Sequence, residues 1–227
     1  MAKTRNSDSL AFLFDLDGTL VDSVYQHVLA WREATQAAGI ELPVWRIHRQ
    51  IGMSGGLMLN ALARETGRPV SRKDAERIQL VHSEAFANQA SSLRVLPGAQ
   101  VLLDTLAALH VPHAIATSGR KHNARHARKL LTLHRNVPVI TRDDVRFAKP
   151  DPDLFVAAGK RLRVPMSRCV IVGDSVWDRR SFALSVGLLS GGYGREEFER
   201  AGAYRVYQDP ADLLRHLDEV GIRLSHP

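Results

Sequence analysis

The residues best suited to chemistry fall in two short acidic stretches. In Phe12-Leu-Phe-Asp15-Leu-Asp17-Gly18-Thr-Leu-Val-Asp22-Ser23, two carboxylates one residue apart follow an apolar run from Leu10 to Phe14. In Cys169-Val-Ile-Val-Gly173-Asp174-Ser-Val-Trp-Asp178, two more follow a second apolar run. Buried acids this close are costly unless a proton or a cation relieves them, and Mg²⁺ is the natural partner for hard oxygen ligands. A polar Asp-Gly turn or a capped helix start accounts for one such acid but not for Asp15, Asp17, Asp174 and Asp178 in matched settings. Between the two stretches, His113-Ala-Ile-Ala-Thr117-Ser118-Gly119 runs as a strand into a polar turn just before a helix that begins near Lys121. A hydroxyl with free N–H groups at such a turn can cradle a phosphate. Lys149 precedes Pro150 and Pro152, which fix its exit point, and a charge there can screen the Asp15 carboxylate from an incoming phosphate dianion.

These residues need a scaffold, and the apolar pattern predicts one. The runs Leu10–Phe14 and Cys169–Val172, with Val137–Ile140, are short and bulky enough for buried parallel strands. Val24, Val28, Trp31, Ala34 and Ala38 recur at helical spacing until Gly39, with Ser23 placed to cap the start. Further helices are predicted from about Leu57 to Glu65 and from Arg72 to Gln89, with no strand between Ser23 and Ser92. The α/β alternation resumes near Val95-Leu96-Pro97-Gly98, followed by a helical stripe through Val101, Leu102, Thr105, Leu106 and Leu109. In open α/β sheets ligands bind beyond the carboxyl ends of the strands, which is where the acids fall.

Asp15-x-Asp17-Gly18-Thr-Leu resembles the first motif of the haloacid dehalogenase superfamily. Thr117, Lys149-Pro-Asp-Pro and Gly173-Asp174-x-x-x-Asp178 are similar to its second, third and fourth motifs, in that order. The likeness continues through Val186 to Gly194 and Arg205 to Leu214, so it covers nearly the whole chain and is weakest in the helical insert. It implies an α/β fold, a Rossmann-like parallel sheet core with an inserted all-helical C1 cap. The core would comprise residues 1–21 and 95–227 and the cap residues 22–94, with hinges near Val21 to Ser23 and Ser92 to Pro97.

The resemblance also implies an activity, Mg²⁺-dependent hydrolysis of a small phosphomonoester of the phosphoglycolate or sugar phosphate type. Asp15 would be the nucleophile that forms an aspartyl-phosphate, and Asp17 the acid and base. Asp15, the Asp17 carbonyl and Asp174 would hold Mg²⁺, with Asp178 contributing through water. Thr117, Lys149, Gly18 and the N–H groups of Ser118 and Gly119 would bind the phosphoryl group. The segment Trp177 to Val186, with Arg179, Arg180, Ser181 and Phe182, departs from the small Ala-rich helix usual in the family, which puts the reach of Asp178 in question.

In the insert, Ile47-His48-Arg49-Gln50-Ile51-Gly52-Met53-Ser54-Gly55-Gly56 has two readings. It can be a specificity loop, with His48 and Arg49 on a substrate carboxylate or hydroxyl, or an interhelical turn that uses glycine for its dihedrals. Two alternatives to a phosphatase also stay open. A sugar-phosphate mutase keeps the same core motifs, and a non-catalytic protein could use the fold to bind an anion or nucleic acid. Asp17 argues against the dehalogenase branch, which lacks that acid, and Lys73, the only lysine of the insert, is poorly placed for Schiff-base chemistry.

Composition narrows the partners. Lys and Arg number 31 against 24 Asp and Glu, a net charge of +7 that attracts anions. The densest basic segment, Arg120 to Arg135, has no aromatic residue on which bases could stack, so a solvated helix face is expected there rather than nucleic acid. His122 and His126 have a zinc-binding spacing but no third ligand nearby. No apolar run approaches the ~20 residues of a membrane span. The first residues lack the apolar core of a secretory signal, and the single Cys169 fits a reducing compartment, so a cytoplasmic protein is expected. The expected partner is a small phosphorylated metabolite, with the chain a monomer or homodimer and no membrane contact.

Overall fold

In the computed structural model the described residues are 10–67, 69–178 and 183–223. Strand β1 (Ala11–Phe14) is buried on both faces, which is why its sequence is continuously apolar rather than alternating. Phe12 and Phe14 pack on one side with Leu102, Leu106, Ile115, Val172 and Leu213, and Ala11 and Leu13 on the other with Ala114, Leu154, Phe155 and Ile171.

In chain order, β2 (Val21–Asp22) leads into α1 (Val24–Ala37), α2 (Val44–His48), α3 (Gly55–Thr66) and α4 (Arg72–Asn88). The chain returns through β3 (Arg94–Val95) and α5 (Ala99–Ala108) to β4 (His113–Ala116), α6 (Lys121–Arg128), β5 (Val139–Ile140) and α7 (Asp153–Leu162). It closes with β6 (Cys169–Gly173), β7 (Leu184–Leu188), α8 (Arg195–Arg200), β8 (Arg205–Tyr207) and α9 (Pro210–Arg215). Six strands form one parallel sheet in the order β5-β4-β1-β6-β7-β8. After β1 the chain builds outward on one side and then crosses to the other, so the order reverses at β1. That reversal opens a crevice at the carboxyl ends of the strands.

Helices α1 to α4 have an apolar centre of their own, formed by Val24, Val28, Trp31, Ile47, Met58, Leu62 and Ile78, with α1 packed along α4. The two connections to the sheet run side by side as an antiparallel ribbon, Val21 opposite Val95 and Asp22 opposite Arg94. Neither ribbon strand was expected, since two residues are too few for a periodic signal. For the same reason α2 escaped notice, and β5 is two residues shorter than the run that predicted it. Ser23 stands at the start of α1 as expected but does not cap it: its hydroxyl donates instead to Asp17 Oδ1 at 2.7 Å. Residues 179–182, on which the departure from the family helix rests, lie outside the described residues. No described helix is long and apolar enough to cross a membrane.

Since Phe12 is fully buried at the centre of the sheet, Phe12→Ala is expected to cost about 3–5 kcal/mol in urea unfolding. A loss below about 1 kcal/mol would contradict this placement.

Candidate active site

Register brings the acids together. Phe14 lies opposite Ile115 on one side and Val172 on the other, so β1, β4 and β6 deliver Asp15, Thr117 and Asp174 to one edge. The Asp15 N–H donates to the Val172 carbonyl at 2.9 Å, and the Gly18 N–H to that of Val21 at 2.8 Å, which closes a tight turn directly after the strand. Gly18 has φ +77°, and a Cβ there would overlap the Asp174 carboxylate, as would one on Gly191. Glycine at these positions makes room for that carboxylate.

Lys149 Nζ lies 2.6 Å from Asp15 Oδ1 and 2.7 Å from Asp178 Oδ1, with the lysine 1% exposed and each acid 3%. Asp174 Oδ1 accepts from the Thr19 hydroxyl at 3.0 Å, and Asp178 Oδ2 accepts from the Ser175 N–H and hydroxyl at 3.2 and 2.9 Å. Carboxylate oxygens of Asp15, Asp174 and Asp178 all come within 4.8 Å of one another. Burial pushes Asp15 up to about 7, with Lys149 opposing the rise and Asp178 adding to it. Burial and the charges of Asp15 and Asp178 push Asp174 well above the carboxylate range. Burial works against the charged form of Lys149, but Asp15 and Asp178 outweigh it and hold the ammonium above its ordinary value. When ionised, three carboxylates on one ammonium leave two excess negative charges, and Asp178 Oδ1 has no aligned hydrogen-bond donor. The donor set is hard, anionic and buried, which fits one divalent cation.

Asp17 has different surroundings. Its Oδ1 takes the Ser23 hydrogen bond and lies 3.3 Å from His27 Nε2, while Thr117 Oγ1 donates to Oδ2 at 3.4 Å. Burial raises the Asp17 pKa, but His27 and Ser23 outweigh it and hold the group below its usual range. His27 Nδ1 in turn lies 3.1 Å from His82 Nε2, and the His82 ring stacks on Trp31 with 4.0 Å between centroids. Burial, then the charge of His27, drives His82 well below the usual histidine value, so it is neutral.

A cavity opens between the sheet edge and the helices, lined by Asp15, Asp17, Thr117 and Ser118 on one side and by Trp31, Met58, Gln79 and His82 on the other. Ser118 Oγ is buried there without a hydrogen-bond partner. The Gly119 N–H, expected to face a phosphoryl group, donates instead to Thr117 Oγ1 at 3.0 Å.

His48 and Arg49 do not line this cavity. His48 Nε2 lies 2.8 Å from the Gly191 carbonyl, and Arg49 pairs with Glu197 and stacks over Tyr193 at 4.2 Å. The Arg49 carbonyl also accepts from Tyr193 Oη and Trp177 Nε1, at 2.8 and 3.2 Å. Together they dock the turn after α2 onto the sheet domain, a tertiary role that sequence pattern cannot reveal. His122 Nε2 is engaged with Ser83 Oγ at 3.1 Å, and among the described residues the Asp15, Asp174 and Asp178 group is the only cluster with metal-binding geometry.

His27 and His82 are absent from the motif-based expectation. The signal for His27 was present, since it sits one position before Val28 and three after Val24, a polar residue on the buried face of α1.

The profile of the haloacid dehalogenase-like hydrolases matches residues 10–185. Hexitol phosphatase A of Escherichia coli is 32% identical over 72% of this chain and 74% of its own. Beta-phosphoglucomutase of Bacillus subtilis is 25% identical over 91% and 92%. The crystal structure of a hydrolase from Pseudomonas syringae superposes with a TM-score of 0.92 at 51% identity, covering 94% of this chain and 100% of that one.

The raised Asp15 and Asp174 fix the sign of a pH effect. Without a cation the folded state holds protons that the unfolded chain has released above its value of 3.8, so these groups destabilise the fold as pH rises from about 4 through 7. Mg²⁺ should therefore raise the melting temperature more at pH 7.5 than at pH 5. Equal shifts at both pH values, or no shift, would contradict a carboxylate cation site.

Proposed function

Because the chain belongs to the haloacid dehalogenase-like hydrolases and is a phosphoric monoester hydrolase, we propose that it is a Mg²⁺-dependent phosphatase of small phosphorylated metabolites, acting through an aspartyl-phosphate on Asp15. The observation that carries this reading is the Asp15 carboxylate held 2.6 Å from Lys149 at the floor of the cavity, beside Asp174 and Asp178. A carboxylate is a weak nucleophile, so positioning and charge neutralisation supply most of the rate.

Asp15 attacks phosphorus in line, and the bond from phosphorus to the ester oxygen breaks. Asp17 gives its proton to the departing alcohol. It then takes a proton from the water that attacks the aspartyl-phosphate, releasing inorganic phosphate and restoring Asp15. Asp17 rests as a carboxylate, and its first task needs a proton; His27, 3.3 Å away, is the group placed to hold or pass one. Lys149, the Ser118 hydroxyl and the Thr117 turn would hold the phosphoryl oxygens. Asp15, Asp174, Asp178 and the Asp17 carbonyl would hold Mg²⁺, which when bound neutralises charge on the phosphoryl oxygens.

Helices α1 to α4, within residues 22–94, act in this reading as a cap over the core segments 1–21 and 95–227, with the β2–β3 ribbon as the connection that lets it close. Closure would exclude bulk water and let cap residues choose the alcohol. The likeness to hexitol phosphatase A supports a sugar phosphate type of substrate. A mutase is the second reading, supported by the phosphoglucomutase likeness; it differs in returning the phosphoryl group to sugar instead of water.

Phosphate release from a panel of small phosphomonoesters, with and without Mg²⁺, tests this. Turnover should require Mg²⁺ and fall by about 10⁴-fold or more in Asp15→Asn. Release that survives this substitution in a folded protein would overturn the mechanism.

A further inference from the structure

We propose that the catalytic cavity continues into a second anion subsite built by Arg120, Arg142 and Arg146, and that the natural substrate carries a second anionic group, a carboxylate or phosphate, remote from the reacting phosphoryl. The inference rests on the phosphatase reading above. A second cleft adjoins the catalytic cavity and shares Gly55, Gln79, Ser118 and Arg120 with it. Its outer wall is the segment after β5, where Arg142, Arg146 and Asp151 line the space.

Local structure explains why Arg142 and Arg146 are available, while Arg120 shares its charge with Asp143. The acids of the same turn are engaged away from Arg142 and Arg146: Asp144 Oδ2 accepts from the Thr141 N–H and hydroxyl at 2.9 and 2.6 Å, and Asp144 Oδ1 pairs with Lys121 at 2.9 Å. Asp143 Oδ2 accepts from the Lys121 N–H at 2.9 Å, and its Oδ1 lies 3.5 Å from Arg120. Arg142 is steadied by one bond from Nη1 to the Val145 carbonyl at 2.8 Å, and Arg146 lies 5.1 Å from the centre of the Phe147 ring. Among the described residues neither Arg142 nor Arg146 has a carboxylate partner within ion-pair distance. Three guanidinium groups thus border a concavity whose one described carboxylate is Asp151.

Basic side chains on a protein of net charge +7 are ordinarily solvated one by one. Here they converge on a cleft continuous with the site of chemistry, and the guanidinium fork matches carboxylate and phosphate oxygens in pairs. The helical wall of the catalytic cavity offers no lysine or arginine by contrast, with Trp31, Met58, Gln79 and the uncharged His82, and its other histidine, His27, is engaged with Asp17. His48 and Arg49, the insert residues that could have met a carboxylate, are engaged at the docking contact.

The test uses pairs of esters that differ only in the far group: 6-phosphogluconate against sorbitol 6-phosphate, and 3-phosphoglycerate against glycerol 3-phosphate. Sorbitol 1,6-bisphosphate separates a phosphate preference from a carboxylate preference. Dissociation constants are measured with Mg²⁺ on the Asp15→Asn protein, and kcat/KM on the wild type. The member with the second anionic group should be favoured by about tenfold or more in at least one comparison, and an Arg142→Gln, Arg146→Gln double variant with unchanged melting temperature should bring that ratio to within about twofold of unity. Ratios near one throughout, or a preference that survives the double variant, would overturn the subsite. Discrimination in binding without turnover of any ester would leave the subsite standing and sink the phosphatase reading; turnover without discrimination would do the reverse.

Discussion

Lys149, Asp15 and Asp178 form a charge group with almost no exposed surface, and much of the structure serves to keep it assembled. Such a group is a poor source of stability, because desolvating the ions costs about as much as their attraction returns, and apolar replacements are often neutral or better. Asp174, raised by burial and by its acidic neighbours, adds repulsion rather than relieving it. The proposed chemistry accounts for its place: an acid neighbourhood that is unfavourable alone would become favourable with a divalent cation and a phosphoryl group bound there. The fold holds that unfavourable state by packing Phe12, Phe14, Leu13 and Ile171 directly behind it.

The sheet topology supplies the second half of the account. A parallel sheet that reverses order at β1 places three strand ends around one crevice, and each end brings a different side chain there: Asp15, the Thr117 turn and Asp174, which in the proposed mechanism serve as nucleophile, phosphoryl cradle and metal ligand. The helices then close the open side with a largely aromatic surface, in which His27 reaches Asp17 from the insert and is itself backed by His82. Core and insert therefore divide the labour. The buried charges sit at the strand ends, while Asp17, the acid and base of the proposed mechanism, is held by His27 from α1 of the insert.

What the sequence made legible follows this division. Asp15, Asp17 and Asp174 were visible because an apolar run followed by an acid is conspicuous, whereas Lys149 and the Thr117 turn stood out through their likeness to the motifs of the haloacid dehalogenase superfamily. The parallel sheet and the helical insert were visible because their periods are long enough to read. His82 was hidden because a histidine on a buried helix face looks like core, and its meaning comes only from contact with His27 across α1 and α4. His48 and Arg49 carry the right chemistry for a substrate but meet Gly191 and Glu197 through long-range packing. The arginine cleft after β5 depends on which acids of one turn are already paired, a matter of side-chain geometry that composition does not carry.

The most direct test of the account is chemical identification of the nucleophile. The protein is mixed with Mg²⁺ and a turned-over phosphomonoester, quenched during turnover and treated with borohydride, which reduces an acyl phosphate to an alcohol. Peptide mapping should then find homoserine at position 15 and unmodified aspartate at positions 17, 174 and 178. Reduction at any of those other acids, or turnover with no reduced residue at position 15, would contradict the assignment of Asp15 and with it the role given to the buried charge group.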